Sequence, residues 1–168
     1  MKKILLKIII YFRKVNIYQS KRNKKKIYFK NLKLIEFDSI KKIKSKKIQF
    51  FLRKKNLIKN FTQGSKLLVL KKNNSLVALG WKNNTISHWN ISEIEKHVFF
   101  KRKIILFNFW VFKKYREKGY YSKMLYLIKN LNTKKKFIIY ALDSNKISNK
   151  GIKKANFKLI NQISKLND

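Results

Sequence analysis

The stretch that decides the fold runs from Ile104 to Leu125 and reads IILFNFWVFKKYREKGYYSKML. It opens with an apolar and aromatic run of strand length, passes through a short basic turn that ends in Gly119, and continues with helical spacing. The order predicted is a strand, a tight loop and a helix N-terminus. Such a junction suits an anion, because the first N–H groups of a helix have no intrahelical acceptors and the helix dipole favours negative charge there. Gly119 allows close backbone approach to a phosphate, and Arg116 and Lys118 add positive charge at the same mouth.

Downstream, Phe137 to Leu142 reads as a second buried strand, and Asp143 to Phe157 as a capped helix with a terminator. With these residues, the sequence resembles the GNAT superfamily of N-acetyltransferases in two places. Val111 to Leu125 is similar to the family's R/Q-x-x-G-x-G/A loop, with Arg116, Gly119 and Tyr121 at the signature positions. Tyr121 departs from the expected small residue, so its side chain must point away from a phosphate and only its N–H can serve. Asn145, Ser148, Lys154 and Phe157 match the second motif in order. Asn156 replaces the usual glycine there, and asparagine is the next-best residue for a left-handed helix end.

The resemblance implies an α/β (α+β) fold, with a mixed, mainly antiparallel central sheet flanked by helices and a strand pair splayed at a coenzyme site. It implies acetyl-CoA as co-substrate and an amine as acceptor, while two histidines, His88 and His97, are too few for a histidine-rich metal site, so no metal is expected. The backbone of Trp110, Val111 and Phe112 would pair with the pantetheine arm. The loop of Arg116, Lys118, Gly119, Tyr120 and Tyr121 would hold the pyrophosphate, and Asn145 and Ser148 would touch the coenzyme from the other side. The family often uses a tyrosine in the last helix as acid, and that position is Ile152 here. The central strand carries no carboxylate. Glu93, Glu95, His88 and His97 remain as bases, of which Glu95 and His88 are the catalytic candidates, with Tyr120 or Tyr140 as acid. Proximity with solvent-relayed proton transfer is also compatible. Small acyltransferases of bacterial polysaccharide biosynthesis show similar loops, which makes a small-molecule amine or sugar-nucleotide precursor the expected acceptor.

Composition bounds the rest. A chain of 168 residues makes one core. The net charge of +37 would ordinarily point to nucleic acid or an anionic membrane. The cations are mostly lysines spread from Lys2 to Lys165, which reads as compositional bias, and nucleic acid is the less favoured partner. Cysteine is absent, which excludes disulfides, thiolate metal sites and an acyl-cysteine intermediate. A CoA-binding protein without turnover and a basic nucleic-acid module are the alternative functions.

The expected organisation is a basic and apolar segment at 1–26 and a single acyltransferase domain at 27–168. Residues 1–14 are too short and too charged to span a membrane. They lie in a membrane interface or dock as a helix on the core or on a second subunit of a homodimer. The expected location is cytoplasmic, with the inner membrane face as an option. YQSKRNKKK, residues 18–26, reads as an exposed connection, and Ile27 to Phe37 as the first strand. One broken or two short amphipathic helices over Ile40 to Phe61 end at Gly64. A hairpin turns at Lys72-Asn73-Asn74, Thr85 to Lys101 is an irregular segment, 132–136 is a turn, and Phe157 to Ile163 closes the sheet.

Overall fold

The computed structural model describes residues 10–21, 26–131 and 135–166. Residues 1–9 and 22–25 of the expected N-terminal segment and 132–134 of the expected turn lie outside the described residues.

Nine strands form. β1 (Lys14–Ser20), β2 (Leu32–Phe37), β3 (Lys66–Lys72), β4 (Ser75–Asn83), β7 (Ile104–Val111), β8 (Phe137–Leu142) and β9 (Phe157–Ser164) make one seven-stranded sheet in the order β2-β3-β4-β7-β8-β1-β9. β5 (His88–Ile91) and β6 (Lys96–Phe99) form a separate hairpin. Every neighbouring pair in the large sheet is antiparallel except β7 with β8. A parallel pair needs a long crossover, and α3 (Tyr120–Asn130) supplies it. Further helices are α1 (Lys46–Lys54), α2 (Lys59–Thr62) and α4 (Lys146–Lys154), and residues 10–12 are also helical. This is the mixed, mainly antiparallel sheet flanked by helices that the sequence implied.

Local chemistry explains several boundaries. The β3–β4 hairpin closes at Lys72↔Ser75 around Asn73 and Asn74, both at positive φ. A two-residue loop of that kind matches the twist of the strands, and asparagine tolerates the left-handed region best after glycine. Gly64, at φ 72°, ends the α1–α2 region as expected. Asn156, at φ 61°, ends α4.

The sheet has two covered faces. α3 and α4 pack on one, around Leu68, Leu106, Leu125, Ile128, Ile139 and Ile152. α1 and the β5–β6 hairpin cover the other, around Leu52, Trp81 and Phe107 on one side and Ile91, Ile105 and Ile138 on the other. Ile152 is fully buried, so the position that would carry the family's tyrosine belongs to the core here.

Three expectations need correction. The first strand is Lys14–Ser20, inside the supposed 1–26 segment, and it lies between β8 and β9. Val15 and Ile17 face one core, and Tyr18, expected on an exposed connection, is fully buried in the other. The domain therefore includes β1, and the strand placed at 27–37 is the second, spanning only Leu32–Phe37. Thr85 to Lys101 is a hairpin rather than an irregular segment, with Trp89 and Ile91 turned inward and His88 and Asn90 outward.

Lys129 on α3 is buried, and its Nζ donates to the Ala155 carbonyl at 2.9 Å. The rings of Tyr126 and Phe157 lie 4.9 and 5.6 Å away and favour the cation. Burial opposes them and pushes the ammonium down to about 8 from its ordinary 10.5. Above pH 8 the folded state therefore sheds a proton that the unfolded chain keeps up to about 10.5. Stability should rise with pH across that window, by roughly 1–3 kcal/mol from this group. Denaturant titrations at pH 7 and pH 10 on the parent and on Lys129→Met should show the rise shrinking in the variant.

Candidate functional site

The site begins with a bulge. β4 pairs with β7 at Leu79↔Trp110 and at Trp81↔Phe107, leaving Asn108 and Phe109 opposite the single residue Gly80. Asn108 takes φ 50°. A Cβ on Gly80 would lie 2.4 Å from the Phe109 ring, so only glycine fits. A bulge bends its strand and breaks pairing, and β7 and β8 are in register only from Ile104↔Phe137 to Leu106↔Ile139. Beyond Leu106, β7 runs on to Val111 beside β4 and β8 runs on to Leu142 beside β1. The pair splays as the sequence implied, and the facing backbone edges can take an extended chain.

A one-turn 3₁₀ segment at Lys113–Tyr115 leads to the basic loop. Gly119 takes φ 73° as the N-cap of α3, and nothing lies within 4 Å of a Cβ built on it. Among the described residues, no acceptor takes the N–H of Tyr120, Tyr121 or Ser122. Three donors thus stand without an acceptor at the positive end of an 11-residue helix, next to the open space around Gly119.

The Tyr121 ring turns away from this mouth. It packs on Phe109 at 5.5 Å and against Gly151 of α4, where a Cβ would approach it to 2.6 Å. Burial raises its hydroxyl above the ordinary phenol range, so Tyr121 serves as a wedge between sheet and helix. Arg116 folds back over the strand end, its Nε donating to the Val111 carbonyl at 3.2 Å and its guanidinium 5.3 Å from the Trp110 ring. Lys118 is exposed on the same loop.

On the other side, the Asn145 side chain caps α4 by accepting from the Ser148 N–H at 3.0 Å. This places both residues at a second helix N-terminus after β8. The N–H of Phe112 donates to the Val77 carbonyl of β4. Phe112 is therefore committed to the opposite edge and cannot give that N–H to a guest between β7 and β8, which corrects the expectation for this residue.

The proton-transfer candidates separate clearly. His88 stands on the outward side of the β5–β6 hairpin against Phe99, with ring centroids 4.9 Å apart. It faces away from the splayed pair. Glu95 sits at φ 51° in the hairpin turn, and its Oε2 is 2.7 Å from Lys165 Nζ, so it ties the hairpin to the end of β9. Neither residue is placed to meet a reacting group between β7 and β8. His97 shares the outward side with His88. Tyr120 packs edge-on against Tyr115, and Lys72 of β3 lies 5.8 Å from its ring, held above the usual lysine value chiefly by a hydrogen bond to the Tyr120 hydroxyl.

Tyr140 differs. It follows Ile139, the last residue of β8 in register with β7, and its hydroxyl accepts a hydrogen bond from Trp89 Nε1 at 3.1 Å. Trp89 in turn packs on Phe107, the residue at which β7 begins to diverge. Burial, then the charge of Glu93, raise the Tyr140 hydroxyl above the ordinary range, against the Trp89 hydrogen bond. The base of the splayed pair is thus an aromatic floor of Phe107, Trp89 and Tyr140.

Sequence reading missed the polar hub behind β8. Asn149 accepts from Tyr18 Oη at 2.7 Å and from Asn16 Nδ2 at 3.2 Å, and its own Nδ2 donates to the carbonyls of Leu142 and Asn145, both at 2.8 Å. Asn16 also donates to Asp143 and accepts from Gln162. The one available signal was an asparagine four residues after the Asn145 cap, one turn along the inner face of α4.

Among the described residues, no group of histidines and carboxylates could hold a metal, and no helix is long and apolar enough to cross a membrane. No family model and no curated protein matches the sequence. Solved structures do match. A protein of Novosphingobium aromaticivorans described as an acetyltransferase from the GNAT family aligns at TM-score 0.59 and 6% identity, over 89% of this chain and 61% of its own. A GNAT-family acetyltransferase of Colwellia psychrerythraea aligns at 0.53 and 16%, over 89% of this chain and 53% of its own. A conserved protein of unknown function from Staphylococcus epidermidis aligns at 0.56 and 11%, over 96% of this chain and 65% of its own. This chain thus spans between about half and two-thirds of the length of each. At these identities the likeness is one of architecture, and the architecture is the GNAT acetyltransferase fold.

Proposed function

We propose that the chain binds acetyl-CoA between β7 and β8 and transfers the acetyl group directly to an amine. The observation that carries this reading is the continuity of an open strand edge with the free N–H groups of Tyr120, Tyr121 and Ser122. That surface suits a molecule with an extended amide arm ending in a pyrophosphate. In this reading Val111 and its neighbours on β7 receive the arm, the Arg116–Tyr121 loop holds the phosphates, and the N-terminus of α4 at Asn145 and Ser148 faces the coenzyme from β8.

Tyr140 supplies the acid. Trp89 fixes the orientation of its hydroxyl, which gives a proton to the departing thiolate and takes one back from water. The amine nitrogen bonds to the thioester carbon, the carbon–sulfur bond breaks, and the proton lost by nitrogen passes to water or to Glu93. Since attack needs a neutral amine, activity should rise with pH until the acceptor amine is deprotonated, and Tyr140 should add no alkaline limb below the usual phenol range.

The acceptor we infer is an amine on an anionic carrier such as a sugar-nucleotide precursor. Lys55 lies 5.1 Å and Arg116 5.3 Å from the Trp110 ring, and Lys47 lies 5.6 Å from that of Phe112. These cations flank an aromatic wall on the α1 side, which suits a phosphate and a flat ring together.

Calorimetry with acetyl-CoA at near-physiological salt, followed by thiol release with amino-sugar nucleotides, tests the reading. Saturable binding and acceptor-dependent release are expected, and a well-folded protein that does not bind would overturn it. Tyr140→Phe should lower turnover about 10- to 100-fold with binding of acetyl-CoA unchanged. A second reading, coenzyme binding without turnover, is favoured by the burial of Ile152 where an acid would stand. It predicts binding with no release for any acceptor.

A further inference from the structure

A cleft of about 720 Å³ opens at the other end of the sheet, where β7 and β8 begin, and five of its nine lining residues are Lys101, Arg102, Lys103, Lys135 and Lys136. The chain as a whole carries 44 basic residues in 168, so the lining is about twice as basic as composition alone provides. Among the described residues, no carboxylate lines it. Arg102 is one of five arginines in a chain whose other cations are lysines, and its fork suits phosphate oxygens in a way that lysine does not reproduce.

The backbone around the cleft is fixed. The Ile104 N–H donates to the Lys136 carbonyl at 3.0 Å, joining the entries of β7 and β8, and the Phe100 N–H donates to Ser87 at 2.8 Å. Arg102 takes φ 54° in the turn between them. The consecutive cations of 101–103 are therefore held beside Lys136 across two tied strands, where like charges repel unless an anion lies between them.

We propose that this cleft is a second anion site that takes a compact ligand carrying several phosphate charges. Its concave shape favours such a ligand over a long strand of nucleic acid, which needs an open track. The eight residues of β7 separate it from the Gly119 loop by roughly 25 Å. Both sites can be filled together, and the proposal does not depend on the acetyl-transfer reading.

The test is calorimetry with inorganic tripolyphosphate at ~0.15 M salt, where distant surface charges are screened. Three full-length proteins are compared: the parent, Arg102→Asn/Lys136→Gln, and Lys41→Gln/Lys44→Gln. Each double variant removes two charges, and the second pair is exposed outside the cleft. Asparagine tolerates the left-handed backbone of position 102, and glutamine at 136 keeps the carbonyl that Ile104 uses, so the cleft variant should fold. Saturable binding by the parent, at least about tenfold weaker in the cleft variant and within about twofold in the other, is the expected result. Tripolyphosphate should raise the melting midpoint of the parent and of the Lys41/Lys44 variant but not of the cleft variant. Equal weakening in both pairs, no saturable binding, loss of binding in Gly119→Glu instead, or preference for a long single-stranded oligonucleotide would each overturn the proposal.

Discussion

Gly119→Glu is expected to abolish saturable acetyl-CoA binding, a loss of at least about 10²-fold, while leaving the protein folded. The two halves of that expectation rest on different observations. The fold survives because nothing lies within 4 Å of a Cβ at this position, so the new side chain displaces no neighbour. The cost is the left-handed backbone at φ 73°, on the order of 1–2 kcal/mol for a residue with a Cβ. Binding is lost because the carboxylate enters the space faced by the N–H groups of Tyr120, Tyr121 and Ser122, where it competes with a phosphate for the same donors and repels it. The comparison with Gly119→Asn separates the two terms. Asparagine tolerates the same φ and adds no charge, so its binding should weaken by less than about tenfold. Calorimetry on both variants, with circular dichroism to check the fold, decides the matter. Equal binding by Gly119→Glu and parent would remove the loop from the site.

The elements around this glycine were legible because each carries its own local signal. β7 and β8 are continuous apolar runs, Gly119 marks the turn between strand and helix, and Asn145 and Asn156 bracket α4 with a cap and a left-handed end. The Asn73-Asn74 turn announces the β3–β4 hairpin in the same way. β1 was not legible, since KVNIYQS offers only Val15 and Ile17 as aliphatic residues and its remaining inward positions are polar. It is held between β8 and β9, and its buried Asn16 finds a partner 133 positions away in Asn149. The β5–β6 hairpin escaped for a related reason. Its strands are four residues long, too short for alternation to stand out, and they are held by the packing of Trp89 and Ile91 on a sheet not adjacent in sequence.

The site divides along the same line. The loop is a local motif: Gly119 caps α3 at φ 73°, Tyr121 packs its ring on Phe109, and Arg116 bonds back to the Val111 carbonyl. The proton-transfer groups are set by tertiary placement. Glu95 and His88 share a short segment with Glu93 and Trp89, and only the formation of a hairpin decides which of them turn inward. A pairing register of His88↔Phe99 puts Trp89 toward Tyr140 and His88 toward solvent, because side chains alternate along a strand.

Asn149→Leu should be the most destabilising single substitution near the site, by roughly 3–5 kcal/mol. Leucine is close in volume and suits a helix, so neither cavity nor propensity accounts for the loss. The cause is the set of partners left behind. Tyr18 Oη is fully buried and would lose its acceptor, Asn16 would lose one of its two, and the carbonyls of Leu142 and Asn145 would lose a donor. A buried polar group without a partner costs about 1–3 kcal/mol, so even partial relaxation leaves a large total. Tyr18→Phe removes one donor together with its need for an acceptor and should cost only about 1 kcal/mol. In the double variant the two losses should sum to less than their separate values, because leucine at 149 no longer leaves a tyrosine hydroxyl unpaired. The coupling has a functional side. The carbonyls of Leu142 and Asn145 flank the turn that carries β8 into α4, so Asn149 fixes that turn. Asn149→Ser, short enough to leave a gap yet still polar, should fold at reduced temperature and bind acetyl-CoA more weakly than the parent. Parent-like binding by that variant would show the hub to be structural alone, with no part in positioning the site.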